Sequence, residues 1–431
     1  MFAAMLSKYS KYNKRDLFSQ FALVFLLISL PLSEFSTRVA IILMVLAWVL
    51  NKSYRNLLWL LNYKAIALIT FYLMYVIGML YTEDKQNGCF QLEQKFSLLI
   101  FPLLLSTSPK INSRFIERAF MCFVGSCVVA TLFCLFQGLR MNYLNNHFEA
   151  IQMEILTNQI LAGYIGMHAT YFSIYLLFAI FILLNYLTAY KRSTLKRIIV
   201  LFIISYLSYF ILLLAARMVI LAFFLICAGA FLMSLYKKRM KLKLIVIIVL
   251  PVFCVAGIAL QTDYLKKRFQ EVYTFNMSDL IGSNSENGVT QRIFLWQNAI
   301  EVIKKSPIIG SGTGDVNIEM DRQYKKLLSE NANYPQSVVA AINSFAETNL
   351  NAHNQFIQVM MALGIFGLVI LLVSIIIPVK FAFQKQQYLF LAFLALFFFS
   401  SFTECLLDRQ SGVVFYAFFN SLFLFHLNSE N

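Results

Sequence analysis

The stretch NQFIQVMMALGIFGLVILLVSIIIPV, residues Asn354 to Val379, decides the fold. It carries no charged side chain and exceeds the ~20 residues that cross a ~30 Å hydrocarbon core. A segment of that kind satisfies its backbone polar groups internally only as a helix or within a closed barrel. Barrel strands alternate apolar and polar residues; this run does not alternate. It reads as a membrane-spanning helix.

Working outward, similar runs lie near 17–32, 37–51, 64–80, 96–106, 118–139, 160–188, 197–214, 218–235, 242–260, 387–402 and 412–427, twelve with the first. The chain is 60% hydrophobic and 13% charged, with a mean hydropathy of +0.70. Soluble domains average about 45–50% apolar and about 25% charged. The reading is an all-α polytopic membrane protein of about 12 transmembrane helices, one integral membrane domain over 1–431. The first run follows a basic segment, as in a signal peptide. No small-residue cleavage site follows "LLISLPLSEF", so it reads as a retained helix.

The net charge of +15 invites a nucleic-acid reading, and its placement argues against one. With both termini in the cytoplasm, the inner side holds 21 basic and three acidic residues, and the outer side 15 basic and 18 acidic. Basic excess on the cytoplasmic side is the ordinary orientation signal of membrane proteins. No nucleic-acid partner is implied. The seven cysteines are scattered without CxxC or Cys/His spacing, which supports neither a zinc site nor a disulfide framework.

The longest polar segment, 261–353, is then an outer loop, near neutral and partly helical. Within it "TQRIFLWQNAIEVIKKSP" (290–307) starts with Thr290 as a candidate N-cap and ends at a proline. Ile293, Trp296, Ile300 and Ile303 recur at helical spacing, which predicts an amphipathic helix on the membrane surface. "IIGSGTGD" (308–315) resembles a phosphate loop but lacks the strand-before, helix-after context and the Lys-Ser/Thr of a P-loop; it reads as a tight turn packing the loop close to the membrane. A second helix is predicted over 316–330.

Charged groups at a membrane edge need a reason. Arg217, in the tight hairpin "LLLAARMVILAFF", reads either as a snorkelling helix-end arginine or as an anion clamp whose paired donors match phosphate. Arg292 reads as a solvated charge or as a partner for a lipid phosphate. Lys266, Lys267 and Arg268 read as headgroup contacts. His353, beside Asn351 and Asn354, is a helix-capping residue or a base able to take a proton from a hydroxyl. His168, in "GMHATYFSIY", reads as a structural hydrogen-bonding residue. Glu404 and Asp408, in "TECLLDRQSG", would orient an arginine, bind a sugar, or form a surface ion pair with Arg409.

Three pieces fall into one pattern: "AARMVIL", the arginine-tryptophan helix followed by "PIIGSGTGD", and "NAHNQFIQVMMALGIFGL". Together they resemble the O-antigen ligase and polymerase superfamily (WaaL and Wzy), most specifically in "HNQFIQ…ALGIFGL". Where that family often has Ser-Arg at the hairpin, this chain has Ala216-Arg217, which retains the arginine and loses a hydroxyl. The resemblance implies a membrane glycosyltransferase of the bacterial inner membrane, its long loop periplasmic. It would move a glycan from an undecaprenyl-diphosphate donor to an acceptor. The single long loop looks more like a ligase, which uses lipid A-core; polymerases and protein O-glycosyltransferases are the alternatives, and a polysaccharide or lipid transporter is the rival from another class. On this reading His353, Arg217 and Arg292 are catalytic, and Asn354, Glu404 and His168 bind substrate. The outer loops show no DxD-like carboxylate site, so no metal and no cofactor are expected, and membrane lipids are the remaining partners.

Overall fold

The computed structural model describes residues 14–56, 62–146, 152–189, 193–236, 288–331 and 334–427. Sixteen α-helices and no strand occur among them: α1 Lys14–Ser29, α2 Glu34–Leu50, α3 Tyr63–Gly78, α4 Lys85–Lys95, α5 Ser97–Thr107, α6 Ser113–Asn146, α7 Asn158–Gly163, α8 Ala169–Ala189, α9 Thr194–Leu213, α10 Arg217–Tyr236, α11 Gly288–Lys305, α12 Val316–Glu330, α13 Gln336–Glu347, α14 Gln355–Gln384, α15 Tyr388–Ser400 and α16 Gln410–His426. By length and composition, four of these segments can cross a membrane: Ser113–Asn145, Ala169–Thr188, Thr194–Leu213 and Gln355–Gln384. Tyr63–Gly78, Met218–Gly229 and Tyr388–Ser400 are shorter apolar helices.

Eleven of the predicted apolar runs are helical. The run at 242–260, and Lys266, Lys267 and Arg268 after it, lie outside the described residues. The sixth run differs from expectation. It breaks after α7, and a turn through Gly166 (φ 69°) separates α7 from α8. The segment "CFQLEQK" belongs to α4, a helix separate from α5.

The core is built around α16. Every residue from Ser411 to His426 is buried, so a helix that is apolar nearly all round is used as an interior post. α5 packs along it and α15 stands beside it, and α8 meets it through Phe178, whose ring lies 4.8 Å from that of Phe419. Phe178, Phe393, Phe415, Phe419 and Phe423 interlock with ring centroids 4.8–6.3 Å apart. Offset and edge-on pairs of this kind contribute about 0.5–1.5 kcal/mol each beyond the area they bury.

The "GSGTGD" turn has a specific place. α14 is broken at Gly364 (φ 62°, ψ −160°), and the turn seats in the break. Ser311 N donates to Met361 O (2.8 Å), Gly312 N to Ala362 O (3.0 Å), and Ile365 N to Pro307 O (2.9 Å). Backbone groups released by a broken helix in an apolar setting must find new partners, and the turn supplies them. A Cβ on Gly310 would collide with the Ala362–Leu363 backbone, and one on Gly364 with the Ile308 carbonyl. At the far end of the turn Asp315 accepts from Glu83 N (2.7 Å) and Asp84 N (2.8 Å). The Gly310, Ser311 and Gly312 amides, which a phosphate loop would offer to an anion, are here bonded to protein carbonyls.

Candidate active site

The site begins with the cap of α14. Asn354 (φ −155°, ψ 112°) is the N-cap, and its side-chain oxygen accepts from Phe356 N (3.0 Å) and Ile357 N (3.1 Å). This satisfies two of the free donors that open any helix. The reading of His353 as the capping residue therefore gives way, and Asn354, read as substrate-binding, is buried with its carbonyl committed to the cap. His353 sits one position earlier in the left-handed region, φ 44°. That conformation is uncommon outside glycine and is held here by neighbours. His353 N donates to Asn351 Oδ1 (3.1 Å), Ala352 N to Gln358 Oε1 (3.2 Å), and the Trp296 indole Nε1 to Ala352 O (2.8 Å).

So held, the half-buried imidazole points Nδ1 at Glu404 Oε1, 3.4 Å away. This is an ion-pair distance, longer than a well-formed hydrogen bond. Glu404 is 3% exposed and stands on the turn between α15 and α16. That turn is tied down on three sides. Tyr171 OH donates to Cys405 O (2.9 Å), and Leu407 N to Gln355 Oε1 (2.7 Å). Lys95 Nζ pairs with Asp408 Oδ1 at 3.0 Å. Gln355 also donates its own N–H to Ser401 O (2.8 Å). Asp408 is thus engaged with Lys95 in the interior, in place of the expected surface pair with Arg409.

Two further residues complete the cluster. His168 begins α8 as a cap, its Nδ1 accepting from Thr170 N (3.4 Å). A ring nitrogen that accepts leaves the proton of the neutral ring on Nε2. Burial pushes the His168 imidazole below its ordinary value of 6.5; Glu404 opposes this, and Arg409, His353 and Arg292 add to it. Burial pushes the Glu404 carboxyl up, but His353 in contact, then the charges of His168 and Arg292, outweigh it and hold the group below its ordinary 4.5. Glu404 is therefore an ionised carboxylate in an enclosed site. The Arg292 guanidinium acts on both groups from α11, one helical turn ahead of Trp296.

Four of the residues singled out in the sequence, His353, Arg292, His168 and Glu404, thus share one cluster. Arg217 is the first residue of α10, after a turn through Ala215 (φ 49°); its side chain lies outside what is described. α9 and α10 both pack on α8. Phe172, near the start of α8, packs on Phe210, near the end of α9 (ring centroids 5.6 Å), which puts Arg217 toward the end of the bundle where His168 begins α8. α11 departs from expectation. It starts before Thr290, which is inside the helix and buried, and its buried face is Phe294, Leu295, Asn298, Ala299 and Val302. Ile300, on the face predicted to lie on the membrane surface, is 46% exposed. The helix has apolar residues on two sides, and the side that packs on α12 and α14 wins burial. Gln355, Tyr171, Lys95 and Asp408 were not read as a unit; only the polar "HNQ" run at the head of an apolar helix hinted at Gln355. Among the described residues no three His, Cys, Asp or Glu side chains group as a metal site.

Among the described residues this is an all-helical membrane protein, with a His–carboxylate pair and an arginine gathered at one end of its bundle. Residues 201–372 match the family model described as O-antigen ligase. This region, which holds Arg217, Arg292 and His353, supports a relation to the O-antigen ligase and polymerase superfamily. The chain is also similar to an uncharacterized protein of Haemophilus influenzae, 25% identical over 150 residues, a match spanning 34% of this chain and 34% of that relative. His168, Glu404 and Asp408 lie outside the region that the family model matches.

Proposed function

We propose that this protein is an O-antigen ligase-like glycosyltransferase that moves a glycan from undecaprenyl diphosphate to lipid A-core, without a metal and with inversion. The observation that carries the proposal is His353 held against Glu404 while Trp296, bonded to the same loop, brings Arg292 to the cluster. A carboxylate facing Nδ1 favours the tautomer with its proton there and leaves Nε2 to accept. As the acceptor hydroxyl oxygen attacks the anomeric carbon, Nε2 takes its proton. The bond from that carbon to the diphosphate oxygen breaks, and its electron pair leaves with the diphosphate. Arg217 and Arg292 stabilise the charge that grows there, as preorganised guanidinium groups do. In this account the protein is one integral domain of the bacterial inner membrane, both termini cytoplasmic and the 261–353 loop periplasmic.

Purified protein in detergent, given a labelled lipid-linked donor and lipid A-core, tests this. Arg217→Ala and Arg292→Ala are each expected to abolish transfer with expression and insertion intact; full activity in either overturns the clamp. Product formed without a gradient excludes pure transport. Lipid A-core without O-antigen in a deletion strain marks a ligase, and core with a single repeat marks a polymerase.

A further inference from the structure

A cavity of about 710 Å³ ends at Arg409 and Gln410, which follow the turn that carries Glu404. One wall is a single face of α2. Glu34 and Arg38 stand at its head, and Ile41, Ile42, Val45 and Leu46 follow at the spacings that share a helix face. The other wall comes from α4 and α5, and Arg409 and Gln410 close the polar end. The cavity is amphiphilic along its length: charged at the Arg409 end, apolar for the ~12 Å that eight helical residues rise. Ile42 and Leu46 are 59% and 47% exposed within it.

Bilayer lipid alone would account for the apolar wall, but not for three features of the polar end. Arg409 is exposed and makes no ion pair among the described residues. Arg38 donates to Gln410 Oε1 (3.0 Å) and lies 4.0 Å from the exposed Glu34 carboxylate, which ties its guanidinium to the same edge; Glu93 is the second carboxylate in the lining, and Arg409 is the cation there without an ion pair among the described residues. Gln94 Oε1, in the lining, is buried without a hydrogen-bond partner, a position suited to a hydroxyl donor. The lining takes nothing from α10 or α11, which carry the arginines assigned to the donor, and lies wholly outside residues 201–372.

We propose that this cavity seats the acceptor, a lipid-anchored saccharide with a phosphate-bearing head: its chain lies along α2, its phosphate meets Arg409 and Arg38, and its saccharide reaches across the 404–409 turn toward His353. The proposal rests on the glycan-transfer reading above and adds where the second substrate enters. The turn then serves both sides, Glu404 facing the base and Arg409 facing the acceptor.

The test uses the full chain in phosphatidylcholine nanodiscs with fluorescent lipid A, a diphosphorylated acylated disaccharide, as probe. Arg409→Gln is expected to weaken binding about tenfold, the loss of one charge-assisted hydrogen bond. Leu46→Trp, which fills the apolar end at an exposed position, is expected to weaken it as well, and excess phosphatidylglycerol is expected not to displace the probe. Unchanged binding in both variants, or displacement by phosphatidylglycerol, overturns the proposal and leaves a surface for bulk lipid only. Transfer assays separate the two readings. If both variants transfer with the wild-type KM for acceptor, the cavity assignment fails and glycan transfer stands. If the probe binds only to wild type, and wild type moves no glycan, the cavity stands and the glycan-transfer reading fails.

Discussion

Glu404 Oε1 lies 3.4 Å from His353 Nδ1, although the two residues belong to different turns and Glu404 is almost wholly enclosed. An enclosed carboxylate ordinarily drifts toward its neutral form. Here it stays ionised because His353, His168 and Arg292 surround it. The pair has the form of a base and its orienting acid.

Glu404→Gln keeps the shape and removes the charge. Transfer is expected to fall by about 10²-fold or more, the lower range for losing an effective general base. The same variant changes the acid limb of stability. The folded-state value of Glu404 is below its ordinary 4.5, so its contribution is present above the unfolded value and is lost as pH falls through the folded one. Melting temperature against pH is expected to drop less steeply on the acid side in Glu404→Gln than in wild type.

The kink in α14 predicts an asymmetry among glycines. Gly364 has φ 62° and ψ −160°, and a Cβ there meets the Ile308 carbonyl. Gly364→Ala is expected to cost at least about 1–3 kcal/mol, the range for a strained backbone site. Gly125 lies inside α6 with open space around it, so Gly125→Ala is expected to be neutral or stabilising by up to about 1 kcal/mol. Unfolding in mixed micelles compares them.

Lys95 and Asp408 are 1% and 9% exposed at a 3.0 Å separation. Removing one partner strands a buried charge, so Lys95→Met is expected to cost about 3–5 kcal/mol, whereas Lys95→Met with Asp408→Leu recovers most of it. Unfolding of the single and double variants, compared with their transfer rates, shows whether loosening the 404–409 turn lowers activity beyond the loss of folded protein.

Much of this arrangement was legible in the sequence, for identifiable reasons. Uninterrupted apolar runs have few solutions other than helices, so their positions carried over. His353, Arg292, His168 and Glu404 stood out because polar groups at the ends of apolar runs are costly unless used. The rest depended on contacts across the chain. Lys95 and Asp408 are 313 positions apart, and nothing in either neighbourhood marks the other. Periodicity marked the Ile300 face of α11, but the second apolar face, which packs on α12 and α14, shows only in the packing. The break before α8 was missed because "GMHAT" is short and flanked by apolar sequence on both sides. The cap was assigned to the histidine rather than the asparagine, although asparagine is among the preferred N-caps and histidine is not.

The most direct test of the central claim is His353→Ala, assayed for donor binding and for transfer on the same purified protein. If His353 is the base, transfer falls by about 10²-fold or more while the labelled undecaprenyl-diphosphate-linked donor binds as it does to wild type. Wild-type transfer in that variant, or loss of donor binding in step with activity, would contradict the assignment; the second result would place the histidine on the phosphate instead.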